Sequence, residues 1–252
     1  MRVSIVQHDI VWGQPAENVR RLTQMLDQQS GADLYVLSET FATGFMADEA
    51  IPQETDLLAW LQAQAREKDA AFAASMAVRD DEGKMRNRLF FVRPDGSYDY
   101  YDKRHLFSYA GETDAYEAGQ RRVVTEWRGV RFLLQVCYDL RFPVFSRNSG
   151  DYDAIIYVAN WPTQRMDVWQ TLLKARALEN QCFVVGVNRV GQDPACFYCG
   201  GSVIIDAYGR TLAACEDTKE GVATASLDME QQNKFRRKFP VLADADSFTI
   251  GL

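Results

Sequence analysis

Two segments constrain the fold more than any others. Phe132-Leu133-Leu134-Gln135-Val136-Cys137 and Ile155-Ile156-Tyr157-Val158-Ala159 run almost unbroken in apolar side chains instead of alternating with polar ones. A strand with one wet face alternates, whereas a strand covered on both faces does not. Both segments therefore predict strands buried between other layers. Further short apolar runs recur at 3–6, 33–37, 71–78, 88–93, 182–189, 202–206 and 222–227. Helical stripes lie between them: Val19, Leu22 and Leu26 after Pro15, then Leu57, Leu61 and Ala65, then Trp169, Leu172, Leu173 and Ala177 from about 165 to 181. Strands alternating with helices predict an α/β fold. Toward the end, Gly200 to Asp206 and Gly221 to Asp228 read as strands joined by a turn at Asp206-Ala207-Tyr208-Gly209. Mixed sheets, or two sheets packed together, are expected rather than a closed parallel barrel. With no internal repeat and no linker rich in Gly, Ser or Pro, one domain over residues 1–252 is the economical reading.

A chain of 252 residues buries roughly three quarters of the surface its unfolded form exposes, so its core needs neither disulfides nor a structural metal. Lys plus Arg total 28 against 35 acidic residues, a formal charge of −7. That balance lacks the footprint for gripping a phosphate backbone, so neither nucleic acid nor an anionic membrane surface is an expected partner. The N-terminal residues enter a strand pattern at once, without a signal-peptide core, and no apolar run approaches the roughly 18 residues of a membrane span. Five cysteines, an odd number, suit reduced thiols in a cytoplasm.

The chemistry is bounded by scarcity. His8 and His105 are the two histidines, so a Ser-His or Cys-His pair would have to use one of them. No Gly-x-Ser-x-Gly elbow, phosphate-binding glycine loop or His-Glu-x-x-His helix occurs. Cys196-Phe-Tyr-Cys199 has no second Cys-x-x-Cys to complete a zinc site and is followed by a strand pattern rather than a helix. It reads as a packing element, and a redox dithiol is the alternative. Cys137 differs, because it ends a buried strand ahead of a turn, Tyr138-Asp139-Leu140-Arg141-Phe142-Pro143, that leads toward a helix. Backbone N–H groups and a positive helix start at that position favour a thiolate. Glu39 stands where the apolar run Leu34-Tyr35-Val36-Leu37 stops, and Lys103 stands among aromatics in Tyr100-Tyr101-Asp102-Lys103-Arg104-His105-Leu106-Phe107. Singly, each reads as a surface charge. Together they supply a nucleophile, a base and a cation for a developing oxyanion: acyl transfer without histidine.

These residues resemble the nitrilase superfamily of carbon–nitrogen hydrolases, whose catalytic set is a Glu, a Lys and a Cys in separate local motifs. Glu39 matches in Leu37-Ser38-Glu39-Thr40-Phe41-Ala42-Thr43-Gly44-Phe45, Lys103 in Tyr101-Asp102-Lys103-Arg104-His105-Leu106-Phe107, and Cys137 in Val136-Cys137-Tyr138-Asp139-Leu140-Arg141-Phe142-Pro143. Glu112 in Ala110-Gly111-Glu112-Thr113 matches a second glutamate that many members place beside the Lys and Cys. The likeness continues through Ala159-Asn160-Trp161-Pro162, Ala175 to Gln181, Gly186 to Gly191 and Phe235 to Pro240. It implies an α-β-β-α sandwich of four layers with mixed sheets, no cofactor and no metal. Within the superfamily the chain is similar to omega-amidases, which act on amides of 2-oxo acids such as 2-oxoglutaramate and 2-oxosuccinamate. The resemblance implies a Cys thioester, with Lys103 and the Tyr138 backbone N–H on the oxyanion and Glu112 positioning Lys103. Arg141 and Arg165 are the candidates for a substrate carboxylate, with Trp161 beside them, and a homodimer is expected. The alternatives are a nitrile, an N-carbamoyl amino acid or an aliphatic amide as substrate, or a non-catalytic protein keeping the fold.

Overall fold

In the computed structural model, residues 1–45 and 54–251 are described. The first part of the chain builds one sheet from Arg2–Gln7 (β1), Leu34–Val36 (β2), Ala71–Arg79 (β3), Met85–Val92 (β4) and Tyr98–Asp102 (β5). Two helices interrupt it, Pro15–Asp27 (α1) and Glu54–Lys68 (α2). A single-turn helix Glu112–Ala115 (α3) leads to Val124–Trp127 (β6), Val130–Val136 (β7) and Ala154–Ala159 (β8), then to Met166–Asn180 (α4) and Phe183–Asn188 (β9). A small hairpin, Val190–Gln192 (β10) with Phe197–Cys199 (β11), precedes Val203–Ile205 (β12), Thr211–Ala214 (β13), Gly221–Ser226 (β14) and the helix Met229–Lys238 (α5).

Every apolar run read as a strand is one, and the two unbroken runs are β7 and β8. They lie parallel to each other, with β9 parallel on the far side of β8. The second sheet runs β13-β12-β9-β8-β7-β6, antiparallel at its flanks. The first runs β14-β1-β2-β3-β4-β5, with the parallel trio β1, β2 and β3 inside it. One expectation fails. The turn at Asp206–Gly209 joins β12 to β13, and β14 crosses to the other sheet, antiparallel to β1. Thr211–Ala214 carries one large apolar side chain and is largely exposed, so it gave no apolar run to read.

The layers follow from which faces are apolar. Val3, Ile5, Val36, Leu89 and Phe91 of the first sheet meet Phe132, Leu134, Ile156 and Val185 of the second in one buried cluster, with the Phe91 and Phe132 rings 5.7 Å apart. Each such side chain contributes about 1.5–3 kcal/mol by leaving water. Helices α1 and α2 cover the outer face of the first sheet through Leu22, Leu26, Leu57, Leu61 and Ala65. Helix α4 covers the second through Trp169, Leu173 and Ala177. Gly186 of β9 permits that close approach, since a Cβ there would lie 2.6 Å from Leu173 Cδ1. This is an α-β-β-α sandwich. Among the described residues no helix is long and apolar enough to cross a membrane.

Candidate active site

Parallel strands deliver their C-terminal ends to one edge of a sheet, where ligands of α/β proteins gather. Glu39 lies just beyond β2. The chain there is tied to β3 by Leu37 N–H to the Ala73 carbonyl (2.8 Å) and Phe41 N–H to the Ser75 carbonyl (3.1 Å). Thr40 N–H donates to Ser75 Oγ at 2.9 Å. Lys103 follows β5, its N–H donating to the Asn87 carbonyl of β4 at 2.9 Å. Cys137 follows β7 and opens a 3₁₀ turn, Cys137–Arg141. Thr40 and Cys137 both adopt left-handed backbone, φ 44° and 46°. That conformation costs a side-chain-bearing residue about 1–3 kcal/mol and persists where the surroundings over-determine it.

The three strand ends converge. Lys103 is 1 % exposed and Glu39 fully buried. The Lys103 ammonium donates to Glu39 Oε1 at 2.9 Å and to both oxygens of Glu112 at 2.9 and 2.8 Å. Glu39 Oε2 accepts the Asn160 backbone N–H at 2.9 Å. Glu112 Oε2 accepts the Phe107 N–H at 2.6 Å, which anchors the second carboxylate. The Cys137 thiol lies within the field of Glu39, Lys103 and Glu112. The Phe45 ring, 5.6 Å from the Lys103 nitrogen, covers the cation.

Two carboxylates facing one ammonium leave an excess negative charge in a dry site. Burial pushes Glu39 above the ordinary carboxylate range; Lys103 opposes the shift and Glu112 reinforces it. Burial alone would drag Lys103 down, but the two glutamates prevail and hold it well above its usual value. Cys137 is pushed well up as well, by burial first and by Glu39 next, with Lys103 opposing. This corrects the expectation of a thiolate. The turn after Cys137 is a five-residue 3₁₀ segment, and burial, followed by the charge of Glu39, keeps the proton on the sulfur. At neutral pH the sulfur rests as a thiol with a strengthened base beside it.

The other sequence candidates sit around this cluster. Tyr138 packs between Phe107 and Phe142, ring centroids 4.9 and 5.1 Å away. Trp161 is 3 % exposed and donates Nε1–H to the Arg165 carbonyl at 2.8 Å. The guanidinium of exposed Arg141 lies 5.4 Å from the Trp161 ring, and that of half-buried Arg165 lies 5.2 Å from Phe107. Among the described residues neither arginine has a carboxylate partner within salt-bridge distance. Both histidines are engaged elsewhere: His8 Nε2 with the Phe41 carbonyl at 2.9 Å and His105 Nδ1 with Asp139 at 2.7 Å.

Sequence reasoning overlooked Asn87, whose Nδ2 donates to Glu39 Oε1 at 2.8 Å and more weakly to Glu112 Oε1 at 3.3 Å. The signal was present: Met85, Asn87, Leu89 and Phe91 alternate along β4 on a buried face, and Asn87 is the polar member. Asn160 and Asn188 were also passed over. Asn160 Nδ2 holds Thr40 Oγ1 at 2.8 Å, and Asn188 Oδ1 accepts the Trp161 N–H at 2.7 Å. Among the described residues no group of three or more His, Cys, Asp or Glu side chains is arranged to hold a metal ion.

Known proteins share this arrangement of elements along nearly the whole chain. The chain is 44% identical over 254 residues to the omega-amidase YafV of Yersinia enterocolitica, covering 99% of this chain and 98% of that protein. It is 34% identical to the 2-oxoglutaramate amidase of Bacillus subtilis strain 168, covering 96% of each. The crystal structure of XC1258 from Xanthomonas campestris, a CN-hydrolase superfamily protein with an arsenic adduct in its active site, superposes with a TM-score of 0.95. Its identity is 41%, over 100% of this chain and 99% of that one. The carbon-nitrogen hydrolase family model matches residues 2–237, and the chain belongs to that family.

Proposed function

We propose that the protein is an omega-amidase, hydrolysing the terminal amide of a small 2-oxo acid amide such as 2-oxoglutaramate or 2-oxosuccinamate to the 2-oxo dicarboxylate and ammonia. One observation carries the reading: a buried ammonium within 2.9 Å of two glutamates, with the Cys137 thiol inside the field of all three. In the first step Glu39 takes the Cys137 thiol proton as the sulfur attacks the amide carbon. The carbonyl oxygen becomes an oxyanion, met by the Lys103 ammonium and the Tyr138 backbone N–H. Glu39 returns its proton to the nitrogen, the carbon–nitrogen bond breaks, and ammonia leaves a Cys137 thioester. Water then gives a proton to Glu39 and adds to the thioester. Collapse releases the acid, and Glu39 reprotonates the sulfur.

In this scheme the raised Glu39 makes a better base than an ordinary carboxylate, which suits it to a thiol whose own proton is held tightly. Glu112 keeps Lys103 charged and in place. Arg141 and Arg165, flanking on aromatic faces, receive the distal carboxylate, and Trp161 forms the wall between them. The whole chain works as a single catalytic domain, a cytoplasmic homodimer acting on a small-molecule amide with neither nucleic acid nor membrane as partner. Ammonia release across 2-oxoglutaramate, 2-oxosuccinamate, a neutral aliphatic amide, an N-carbamoyl amino acid and a nitrile tests the substrate. The 2-oxo acid amides are expected to lead; a nitrile or carbamoyl preference contradicts the proposal. Arg141→Ala or Arg165→Ala should raise KM for 2-oxoglutaramate about tenfold, the size of one lost charged contact, while sparing the neutral amide.

A further inference from the structure

We infer that Asp139 and His105 form a strut that sets the Lys103 ammonium against the Cys137 sulfur, making both of them positioning residues for the amide hydrolysis proposed above, on which this inference rests. Lys103 hangs from β5, the edge of the first sheet, and Cys137 ends β7 of the second. Among the described residues no backbone ladder joins the two sheets, so hydrogen bonding within each leaves the ammonium-to-sulfur distance open. The fully buried Asp139 carboxylate spans that gap. Its Oδ2 accepts the Val136 N–H at 2.9 Å and the Tyr101 hydroxyl at 2.8 Å. Its Oδ1 accepts the His105 backbone N–H at 3.1 Å and the His105 ring at 2.7 Å, so Nδ1 carries the proton.

These donors come from two places: the residue before Cys137 and the residues two before and two after Lys103. The Tyr101 hydroxyl also accepts the Arg104 N–H at 3.0 Å, which tightens the same segment. The imidazole is wedged. It stacks on Phe142 at 3.8 Å with an interplanar angle of 6° and meets the edge of Phe145 at 5.2 Å. Phe142 directly follows the 3₁₀ turn opened by Cys137. One carboxylate thus restrains the left-handed turn of the nucleophile and the chain carrying the cation. Oxyanion stabilisation depends on donors fixed in advance at the right distance, and misplacement by about 1 Å costs up to about a hundredfold.

Three variants separate positioning from mere stability. Asn at 105 places an amide N–H near the Nδ1 position, Gln places it beyond, and Leu removes it. His105→Gln and His105→Leu should lower kcat by about tenfold or more with KM changed less than about twofold, while His105→Asn keeps kcat within about threefold. Equal kcat in the Asn and Gln variants, or a loss confined to KM, overturns the strut. The Asn and Gln proteins suffice if Leu prevents folding. If the wild-type protein turns over no 2-oxo acid amide, the substrate reading fails by itself. Iodoacetamide labelling of Cys137 then reads out the strut: slower in the Gln variant and near wild type in the Asn variant supports it, and equal rates contradict it.

Discussion

Cys137 and the Cys196–Cys199 pair are the two sulfur features of the sequence, and their surroundings differ. Cys196 and Cys199 belong to the β10–β11 hairpin, where Cys199 pairs in register with Val190 and the Cys196 N–H is turned onto Asp193. Two residues, Phe197 and Tyr198, lie between them, and three steps of extended chain span about 10 Å, too far for the roughly 4.4–6.8 Å between Cα atoms that a disulfide requires. Cys137 sits on strained backbone, beside a base and a cation. The spacing of the pair resembles a recognised motif, yet the solitary thiol has the chemistry. What makes a cysteine reactive here is the charge brought to it by two other strand ends.

The largest expected effect is the direct contrast. Cys137→Ala should reduce ammonia release to background, whereas Cys196→Ser and Cys199→Ser should stay within about twofold of wild type, as substitutions outside a catalytic set usually do. Loss of activity in the hairpin variants would break the comparison. Next, Lys103→Ala removes a preorganised oxyanion donor. A fall of about 10²–10³ in kcat is expected, roughly 2.7–4 kcal/mol of transition-state stabilisation.

Labelling sharpens the contrast further. Iodoacetamide should modify Cys137 well ahead of the other four thiols, of which Cys215 is pushed up by burial to about 11 and Cys182 is pushed higher still. Glu39 raises the thiol by its charge and takes its proton as base; the base role sets the rate, so Glu39→Gln should abolish the selectivity although it also removes a charge that holds the proton on. Persistent selective labelling in that variant would indicate a preformed thiolate. The pH profile carries the smallest effect. Glu39 accepts a proton only when ionised, and its value lies above the ordinary carboxylate range. Activity should therefore fall about tenfold per unit as pH drops, with a midpoint above the roughly 4.3 of a free glutamate. Lys103, held above its usual value by two glutamates, should cause no loss on the alkaline side before about pH 10. A kcat/KM profile with its acid midpoint at or below 4.3 would contradict the assignment of Glu39 as base.

Much of this was legible in the sequence because buried parallel strands announce themselves by unbroken apolar runs, and a charged residue at the end of such a run stands out. Glu39 and Cys137 were visible in that way, and Lys103 emerged from its aromatic neighbours and the family likeness. Asn87 was not, because an inward-facing amide within an alternating strand looks like any satisfied core polar group until its partners are known. The protonation state of Cys137 was misread for a related reason. The local turn suggested a positive dipole, but burial comes first and the charge of Glu39, from a distant part of the chain, next. Helix α5 escaped notice because Met229–Lys238 is mostly polar and buries little beyond Gln232.

All of these expectations depend on Glu39, Lys103 and Cys137 acting on one carbonyl. Mass spectrometry of enzyme quenched during turnover of 2-oxoglutaramate tests that most directly. An acyl adduct on Cys137, absent in Glu39→Gln, is the predicted result. Ammonia release with no adduct on Cys137, or an adduct on Cys196 or Cys199, would contradict it.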